Sequence, residues 1–364
     1  MDATNKLYWY WLSKLEIIGP AGRKRLLERF QSPEGIFRAT PEAVERFGGL
    51  TPKQLQAWMD CEIRAKAAEE FYLLKERDIH FVLKEESGFP MALREIPQAP
   101  DFLFYRGRLP EEHKISIAMI GARECSFRGR KIAQELAGEL ADAGIQIISG
   151  MARGVDGVSQ KAALQYAPSY AVLGSGVDYC YPPENYALYE ELLRRGGILS
   201  EYPPGSRPAA FHFPMRNRLI AGLADGLVVV EARKKSGTLI TVDFALEQGK
   251  QVFAVPGREG EALSEGCNEL LLDGAHAATC AKDILEVLAK EYIMPPKTRN
   301  NKKNIFLLEE EEKMLYASVS LEPKHPEELL RLTGWAPEKL MQILFSLEMR
   351  GLIYSPTGNY YMAK

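Results

Sequence analysis

Three loops of the sequence place glycine beside arginine or hydroxyl side chains, each directly after a short apolar run. They read GARECSFRG at 121–129, SGMARGVD at 149–156 and GSGVDYCYPPEN at 174–185. Glycine lets the backbone approach a ligand closely, and arginine can donate paired hydrogen bonds to a phosphate. The repeated pattern predicts an anion-binding surface. Asp156 is placed to cap the helix that follows its loop.

A fourth segment of the same character runs from Phe213 to Gly257. It begins with Arg216 and Arg218 on a predicted helix and continues through the turn Ser-Gly-Thr at 236–238 into a second helix. Free N–H groups at the start of a helix attract an anion. The segment therefore predicts the edge of a phosphate-binding site.

Residues for breaking bonds are hard to find in the sequence. There is no GxGxxG or GxxxxGK[ST] nucleotide fingerprint, no GxSxG elbow and no CxxC pair, and the five histidines are isolated. Glu201 and Glu231 end predicted strands without an evident partner. We therefore expect no cofactor, no metal site and no catalytic residue, in a protein that holds its ligand.

The elements that would position these loops alternate between short β-rich runs and helical patterns from residue 89 to 290. This alternation predicts an α/β fold with a Rossmann-like, doubly wound parallel sheet, which binds ligands at the carboxyl ends of its strands. Strands are predicted at Ile115–Ile120, Ile145–Ile148, Tyr170–Leu173, Gly197–Leu199, Leu227–Val230 and Gln251–Val255. Helices are predicted at Arg130–Ala143, Asp156–Gln165, Glu184–Arg195, Met215–Leu223 and Leu239–Gln248.

The N-terminal flank, residues 1–88, predicts a helical domain of the helix-hairpin-helix or SAM-like kind. Glycine turns are expected at 19–22, before a basic helix that begins at Arg23, and at 48–49. Such hairpins can contact phosphates, but glycines also serve simply as helix stops, and both interpretations stay open.

The C-terminal flank predicts a linker at 291–306 and a winged-helix-like domain at 307–364. Helical patterns at 309–319, 326–332 and 337–350 precede a hairpin candidate at 354–361. The last of these helices would read DNA in such a domain, yet it carries two acidic and two basic side chains. Because phosphate neutralisation needs excess positive charge, the balance favours a protein contact or a regulatory role.

The overall composition excludes few classes of function. The chain has 364 residues and a formal net charge of −3, so total charge gives no indication of nucleic-acid binding. The sequence has neither a run of apolar residues long enough to span a bilayer nor a secretory signal pattern. We therefore expect a cytoplasmic protein with no membrane partner.

The loops, taken together, resemble the motifs of the DNA-processing protein A family, also called DprA or Smf. Seven motifs follow the family's order and spacing across the central body. They are MIGAREC (119–125), IISGMARGVD (147–156), LGSGVDYCYPPEN (173–185), LSEYPPG (199–205), FPMRNRLIAGL (213–223), EARKKSGTLITVDFALEQGK (231–250) and PGREGEALSEGCNELLLDGA (256–275).

The resemblance implies a non-catalytic single-stranded DNA-binding protein of natural transformation and DNA recombination. Such proteins protect incoming single strands, help to load the recombinase RecA onto strands coated by single-strand-binding protein, and form homodimers through the Rossmann-like body. Carried over by position, the DNA pocket would comprise Gly121, Arg123, Ser126, Gly150, Gly174, Arg216, Asn217, Arg218, Ser236, Gly237 and Thr238.

Two positions depart from the family pattern. Ala122 stands where the family usually has Ser or Thr, and Gln160 stands where it commonly has His. Glutamine cannot become charged near neutral pH, which puts any pH-linked role at that position in doubt. Aromatic stacking partners for bases could be Phe127, Phe211, Phe213 or Tyr181, although each could equally be a core residue.

Two other functions compete with this interpretation. One is a nucleoside-monophosphate hydrolase of the lysine-decarboxylase-like Rossmann type, which also holds phosphate on an SGT-like turn. Here SGT at 236–238 and PG at 256–257 are split, and no matching Glu follows. The other is transcriptional control by the winged-helix-like tail, against which its acidic balance argues.

Overall fold

The computed structural model describes residues 3–292 and, in the C-terminal part, residues 312, 315, 316, 318, 319, 324–349, 353, 354 and 360–363. The chain divides into two compact units, Met1–Glu291 and Tyr292–Lys364. The domain boundaries predicted at residues 88, 290 and 306 stay predictions. Among the described residues, no helix is both long and apolar enough to cross a membrane.

The N-terminal segment is helical up to residue 73. Ser32, Thr40 and Thr51 each precede a proline, and each side chain accepts a backbone N–H of the helix that follows, which fixes where these helices begin. The glycine turn predicted at 19–22 is wrong, because these residues form the first turn of a helix. The helices are α1 Ala3–Lys14, α2 Gly19–Phe30, α3 Pro33–Arg38, α4 Pro41–Phe47, α5 Pro52–Met59 and α6 Cys61–Leu73.

A nine-stranded sheet forms the centre of the first unit. The strands are β1 His80–Leu83, β2 Phe102–Gly107, β3 Ser116–Ile120, β4 Gln146–Ser149, β5 Ser169–Val172, β6 Gly197–Ser200, β7 Gly226–Val229, β8 Gln251–Ala254 and β9 His276–Ala277. Their order is β1-β2-β6-β5-β4-β3-β7-β8-β9. From β6 to β9 all neighbours are parallel, while β1 and β2 add an antiparallel edge.

The predicted Rossmann-like parallel sheet is confirmed, and each of its six predicted strands lies within one residue of the observed bounds. The predicted helices are also present, although their ends differ by up to three residues. Sequence patterns missed β1, β2 and β9. The first of these lies inside the segment expected to be helical. The helices of this body are α7 Phe127–Asp142, α8 Val155–Ala163, α9 Tyr186–Arg195, α10 His212–Leu223, α11 Gly237–Glu247, α12 Glu265–Leu272 and α13 Ala281–Tyr292.

The chain reverses its direction across the sheet beside β3. From β3 it moves outward through β4, β5 and β6, then returns to place β7 on the other side of β3. Loops from the carboxyl ends of β3 and β7 therefore leave in opposite directions and open a crevice, which is where doubly wound sheets bind ligands.

A buried ion network holds α10, which lines this crevice. Glu201, directly after β6, accepts from Arg23 of α2 (Nη2–Oε1, 2.6 Å) and from Arg218 of α10 (Nη2–Oε2, 2.5 Å). The three residues expose at most 7 % of their surface. Asp101 adds a second carboxylate to Arg23, at 3.2 Å from Nε. The network thus ties an N-terminal helix to the helix of the crevice.

The second unit contains the elements of a winged helix. Helices α14 Pro326–Thr333 and α15 Pro337–Met349 pack around buried leucines, among them Leu329, Leu340 and Leu344. Strands β10 Ile353–Tyr354 and β11 Met362–Ala363 pair antiparallel. These elements confirm the two helices and the hairpin predicted there. The helix predicted at 309–319 falls largely outside the described residues.

The ion network predicts a large stability effect for Glu201→Ala. The substitution leaves Arg218 and Arg23 buried without their shared carboxylate, which we expect to lower the free energy of unfolding by about 3–5 kcal/mol. Urea unfolding followed by circular dichroism measures it. Glu62→Ala breaks an exposed pair with Lys66 and should leave the urea midpoint unchanged. Equal midpoints for the two variants would contradict the assignment.

Candidate nucleic-acid interface

A cavity of about 810 Å³ opens at the carboxyl ends of β3 and β7. Its wall on one side is a stripe of α10 formed by Phe213, Arg216, Asn217 and Ile220, which recur at the three- and four-residue spacing of a single helix face. The loops after β3 and β7 and the first turn of α11 complete it. A flexible polymer unit such as a nucleotide would fit a cleft of this size.

The start of α7, at the end of the loop after β3, is already occupied by an anion of the chain itself. The backbone N–H and hydroxyl of Ser126 donate to the two oxygens of Glu231, at 2.8 and 2.6 Å. Ser126 Oγ also accepts from Gly129 N at 2.9 Å, which caps the helix. A Cβ at Gly129 would lie 2.3 Å from the Glu231 carboxyl carbon, so glycine is required there. This helix end does not offer its N–H groups to a phosphate.

The start of α11 is open. Ser236 precedes the helix in an extended conformation, and its side chain caps no backbone N–H. Its Oγ is buried and has no hydrogen-bond partner among the described residues. Ser236, Gly237 and Thr238 all line the cavity. A helix N-terminus with an unpaired hydroxyl is suited to hold an anion.

A cation and two aromatic rings stand together at the cavity. The Arg123 guanidinium carbon lies 5.5 Å from the centroid of the Phe213 ring, which orients the side chain by a cation–π contact. The Tyr181 ring follows, with its centroid 5.6 Å from that of Phe213 and the planes at 33°. Arg123 is exposed, and Tyr181 exposes 40 % of its surface. The cluster presents positive charge and an aromatic surface side by side.

Arg216 lies beneath this surface and braces it. Its guanidinium donates to the carbonyl oxygens of Gly150, at 3.0 Å, and Val172, so it joins the ends of β4 and β5. Burial lowers the pKa of Arg216 to about 10, although the nearby Asp156 opposes the shift. A Cβ at Gly150 would lie 2.7 Å from this guanidinium. Arg216 therefore supports the cavity wall through these hydrogen bonds and places a positive charge beneath it.

Asp156 does not cap its helix as expected, because Gly154 occupies the cap position. Its carboxylate turns back and accepts from Gly150 N at 3.1 Å, which folds the loop after β4 onto itself. Burial raises the pKa of Asp156, and Arg216 is the largest opposing influence. The residue thus stabilises a loop of the cavity wall.

Comparison with known sequences decides the relationship of the chain. The model of the family described as DNA recombination-mediator protein A matches residues 80–289, and that of the DprA winged helix domain matches residues 301–359. The chain belongs to the DprA family.

Relatives and solved structures agree with this assignment. The Smf protein of Escherichia coli is 34% identical over 320 residues, which span 86% of this chain and 84% of the relative. The DNA processing protein DprA of Streptococcus pneumoniae is 43% identical over 202 residues, 54% of this chain and 70% of that protein. An X-ray structure of the pneumococcal DprA has a TM-score of 0.65 at 33% identity and covers 77% of this chain and 97% of its own.

A second similar structure is the DprA of Helicobacter pylori, with a TM-score of 0.53 at 29% identity over 59% of this chain and 97% of its own. That structure is described as showing a single-stranded DNA binding mode.

The structure brings together most of the DprA pocket predicted from the sequence. The cavity is lined by Gly121, Arg123, Arg216, Asn217, Ser236, Gly237 and Thr238. Gly150 lines a smaller adjoining cavity of about 60 Å³, which shares Arg123, Tyr181, Phe213 and Arg216 with the large one.

Three predicted residues line neither cavity. Ser126 serves Glu231 and α7, and Gly174 makes room for Phe213, whose Cδ1 would lie 3.0 Å from a Cβ there. Arg218 belongs to the buried network with Glu201. A two-residue step rotates a helix by about 200°, so Arg216 and Arg218 must face opposite sides. That spacing was visible in the sequence and would have separated their roles.

The structure shows the surroundings of Ala122 and Gln160, the two residues that depart from the family pattern. Ala122 lines the cavity without a side-chain polar group. Gln160 is fully buried, accepts from Met151 N at 3.0 Å and donates to Tyr170 O at 2.9 Å. Both ends of its amide are thus used to attach the loop after β4 to β5.

Sequence reasoning missed Arg233, an exposed cation in the loop after β7 that lines the cavity. It follows its strand as Arg123 follows β3, and that parallel could have identified it. Glu231, one of the two strand-ending acids of the sequence, is engaged with Ser126 and does not line the cavity. Within the described ranges, no group of His, Cys, Asp and Glu could hold a metal ion.

The position of Ser126 predicts a structural effect for Ser126→Ala. The change removes the cap of α7 and one donor to buried Glu231, which should lower the free energy of unfolding by about 2 kcal/mol. Urea unfolding measures it, with Ser236→Ala as the matched control, because Ser236 caps no helix N–H. If Ser236→Ala were the more destabilising change, the roles assigned to the two serines would be reversed.

Proposed function

We propose that the cavity binds single-stranded DNA without sequence preference and without breaking a bond in it. The observation that carries the proposal is the open start of α11, with the unpaired Ser236 hydroxyl, in the same cavity as Arg123 on the Phe213 ring. The single-stranded DNA binding described for the Helicobacter pylori relative supports it.

The phosphates of a strand match the polar groups of the cavity. Arg123 and Arg233 are exposed cations there, and Lys234 and Lys235 are exposed beside Arg233. An exposed Glu124 is the opposing charge at the same wall. Together with the first N–H groups of α11, these cations favour a backbone that carries one negative charge per nucleotide.

The bases match the aromatic surface. Stacking on an aromatic side chain tolerates every base, because each base has a π-face. Tyr181 and Phe213 supply such faces inside the cavity. Phe127, the first residue of α7, and Phe211, directly before α10, line neither cavity but expose 85 % and 67 % of their surface. A duplex hides these faces of its bases, so the cavity should favour single strands.

The wider role follows from family membership. We propose that the protein protects incoming single strands in the cytoplasm and helps to load RecA onto strands coated by single-strand-binding protein, in natural transformation and recombination. We also propose a homodimer formed through the Rossmann-like body. Leu246 on α11 and Leu272 on α12 expose 59 % and 88 % of their surface. Both helices pack against β8, and exposed apolar side chains often mark a protein–protein interface, so these leucines support an interface on this body.

Arg123→Ala tests the cavity directly. We expect the affinity for a mixed-sequence single strand to fall by about tenfold, because one charge-assisted contact is lost. The slope of log affinity against log salt should shrink by about 0.7. Fluorescence anisotropy at several salt concentrations measures both. Arg194→Ala removes an exposed arginine from the last turn of α9, which leads into the amino end of β6 and lines neither cavity, and serves as the control. Equal losses for the two variants would place DNA elsewhere.

Ser236→Ala tests the open helix start. The hydroxyl has no partner among the described residues, so its removal should leave stability unchanged while lowering single-strand affinity by about threefold to tenfold. Ser126→Ala should show the reverse: reduced stability with unchanged affinity at a temperature where it is folded. Anisotropy and urea unfolding of both variants measure the contrast. Unchanged affinity in Ser236→Ala would remove α11 from the proposed site.

The RecA role is measured as the rate at which RecA filaments form on single strands coated by single-strand-binding protein. The unaltered protein should accelerate filament formation, and Arg123→Ala should not. Normal DNA binding without any acceleration would retain the cavity and reject the loading role. Sedimentation at several concentrations tests the dimer separately.

A further inference from the structure

The outward face of α15 in the C-terminal unit exposes apolar side chains between two acids. Met341 and Phe345 expose 47 % and 65 % of their surface. Glu338 and Glu348, three residues before and after this pair, are also exposed. The opposite face of the helix is buried, through Leu340, Ile343, Leu344 and Leu347. We call Glu338, Met341, Gln342, Phe345 and Glu348 the outward face.

The charge on this face opposes duplex DNA. A reading helix places its exposed side chains against a major groove lined by phosphates, where positive charge is needed. The outward face carries two carboxylates, and Lys339 of the same helix lies against the Trp335 ring, with Nζ 5.2 Å from its centroid. The exposed apolar side chains of Met341 and Phe345 would gain little from contact with a phosphate backbone.

The same charges oppose a second copy of the chain. If two α15 helices packed in parallel, Glu338 would meet Glu338 and Glu348 would meet Glu348. If they packed antiparallel, each Glu338 would meet a Glu348. Both arrangements bring like charges together at the two ends of the apolar contact, which is destabilising.

We propose that the outward face binds a protein segment in which two apolar side chains lie between two lysines or arginines. Glu338 and Glu348 are ten residues apart, which corresponds to about 15 Å along the helix axis. The basic side chains of the partner should have the same separation, as they do in a helical segment of about ten residues. Methionine adapts to varied apolar surfaces and the Phe345 ring supplies a large contact, so the face suits a helix laid along it.

The test uses the full chain and two labelled synthetic helical peptides of equal length. One carries two leucines four residues apart, with a lysine three residues beyond each, and the other carries glutamate in place of both lysines. Fluorescence anisotropy should show the lysine peptide binding about tenfold more tightly, because two pairs change from attraction to repulsion. Equal binding of the two peptides would overturn the proposal.

Charge reversal and truncation make the test specific. Glu338→Lys with Glu348→Lys should invert the preference, so that the glutamate peptide binds more tightly. Phe345→Ala should weaken the lysine peptide about fivefold or more. Tyr72→Ala, which removes a similarly exposed aromatic side chain (68 %) from the first unit, should not. All of these positions are exposed, and thermal unfolding confirms that the variants fold.

Two other results would assign the face differently. Duplex DNA binding that is lost in Phe345→Ala would make it a DNA-reading face. Self-association that is lost in the same variant would make it an interface between copies. Single-strand binding by the cavity should be the same in Phe345→Ala and the unaltered chain, so the outcome is independent of the function proposed for the first unit.

Discussion

The carboxylate of Glu231 determines which helix at the crevice can receive an anion. By accepting from both the backbone and the side chain of Ser126, it fills the start of α7 with the protein's own negative charge. The start of α11 is left as the open helix end of the cavity. An acid in the loop after β7 thus gives the two helix starts different roles. Glu231, which had no evident partner in the sequence, is therefore a structural residue of the crevice.

Arg216 and Arg218 belong to one short motif, but the geometry of the helix gives them different roles. Arg216 and Arg218 lie two residues apart on α10, so one faces the cavity and the other faces the N-terminal helices. Arg216 joins the ends of β4 and β5 by donating hydrogen bonds to their carbonyl oxygens, while Arg218 anchors the helix to Glu201. Arg123 and Arg233, by contrast, line the cavity and are exposed to solvent, and the Phe213 ring orients Arg123. All of these arginines carry the same charge, so it is burial that distinguishes Arg216 and Arg218, which support the fold, from the arginines that solvent reaches.

The parallel core and most of the cavity were predictable from the sequence, because buried parallel strands are continuous apolar runs and their exits are rich in glycine. Strands β1 and β2 were not, because no α-helix separates β1, β2 and β3, so these two strands lie outside the strand–helix alternation from which the others were predicted. The role of Ser126 depends on Glu231, 105 residues later in the chain, and no local pattern reports such a contact. Helical spacing alone would have set Arg218 apart from Arg216.

The link from Arg23 to Glu201 limits how this protein can be shortened. The family match begins at residue 80, after the helix that carries Arg23. A fragment cut at that boundary would lose Arg23, one of the two guanidinium partners of Glu201. It would also lose Trp9 and Tyr10, whose rings pack against Phe81, Phe102 and Phe104 of β1 and β2. The segment matched by the family model and the compact unit of the structure therefore have different N-terminal bounds in this chain. The N-terminal helices bury the aromatic side chains at this edge of the sheet. A body expressed without these helices would need other apolar side chains to bury the same edge.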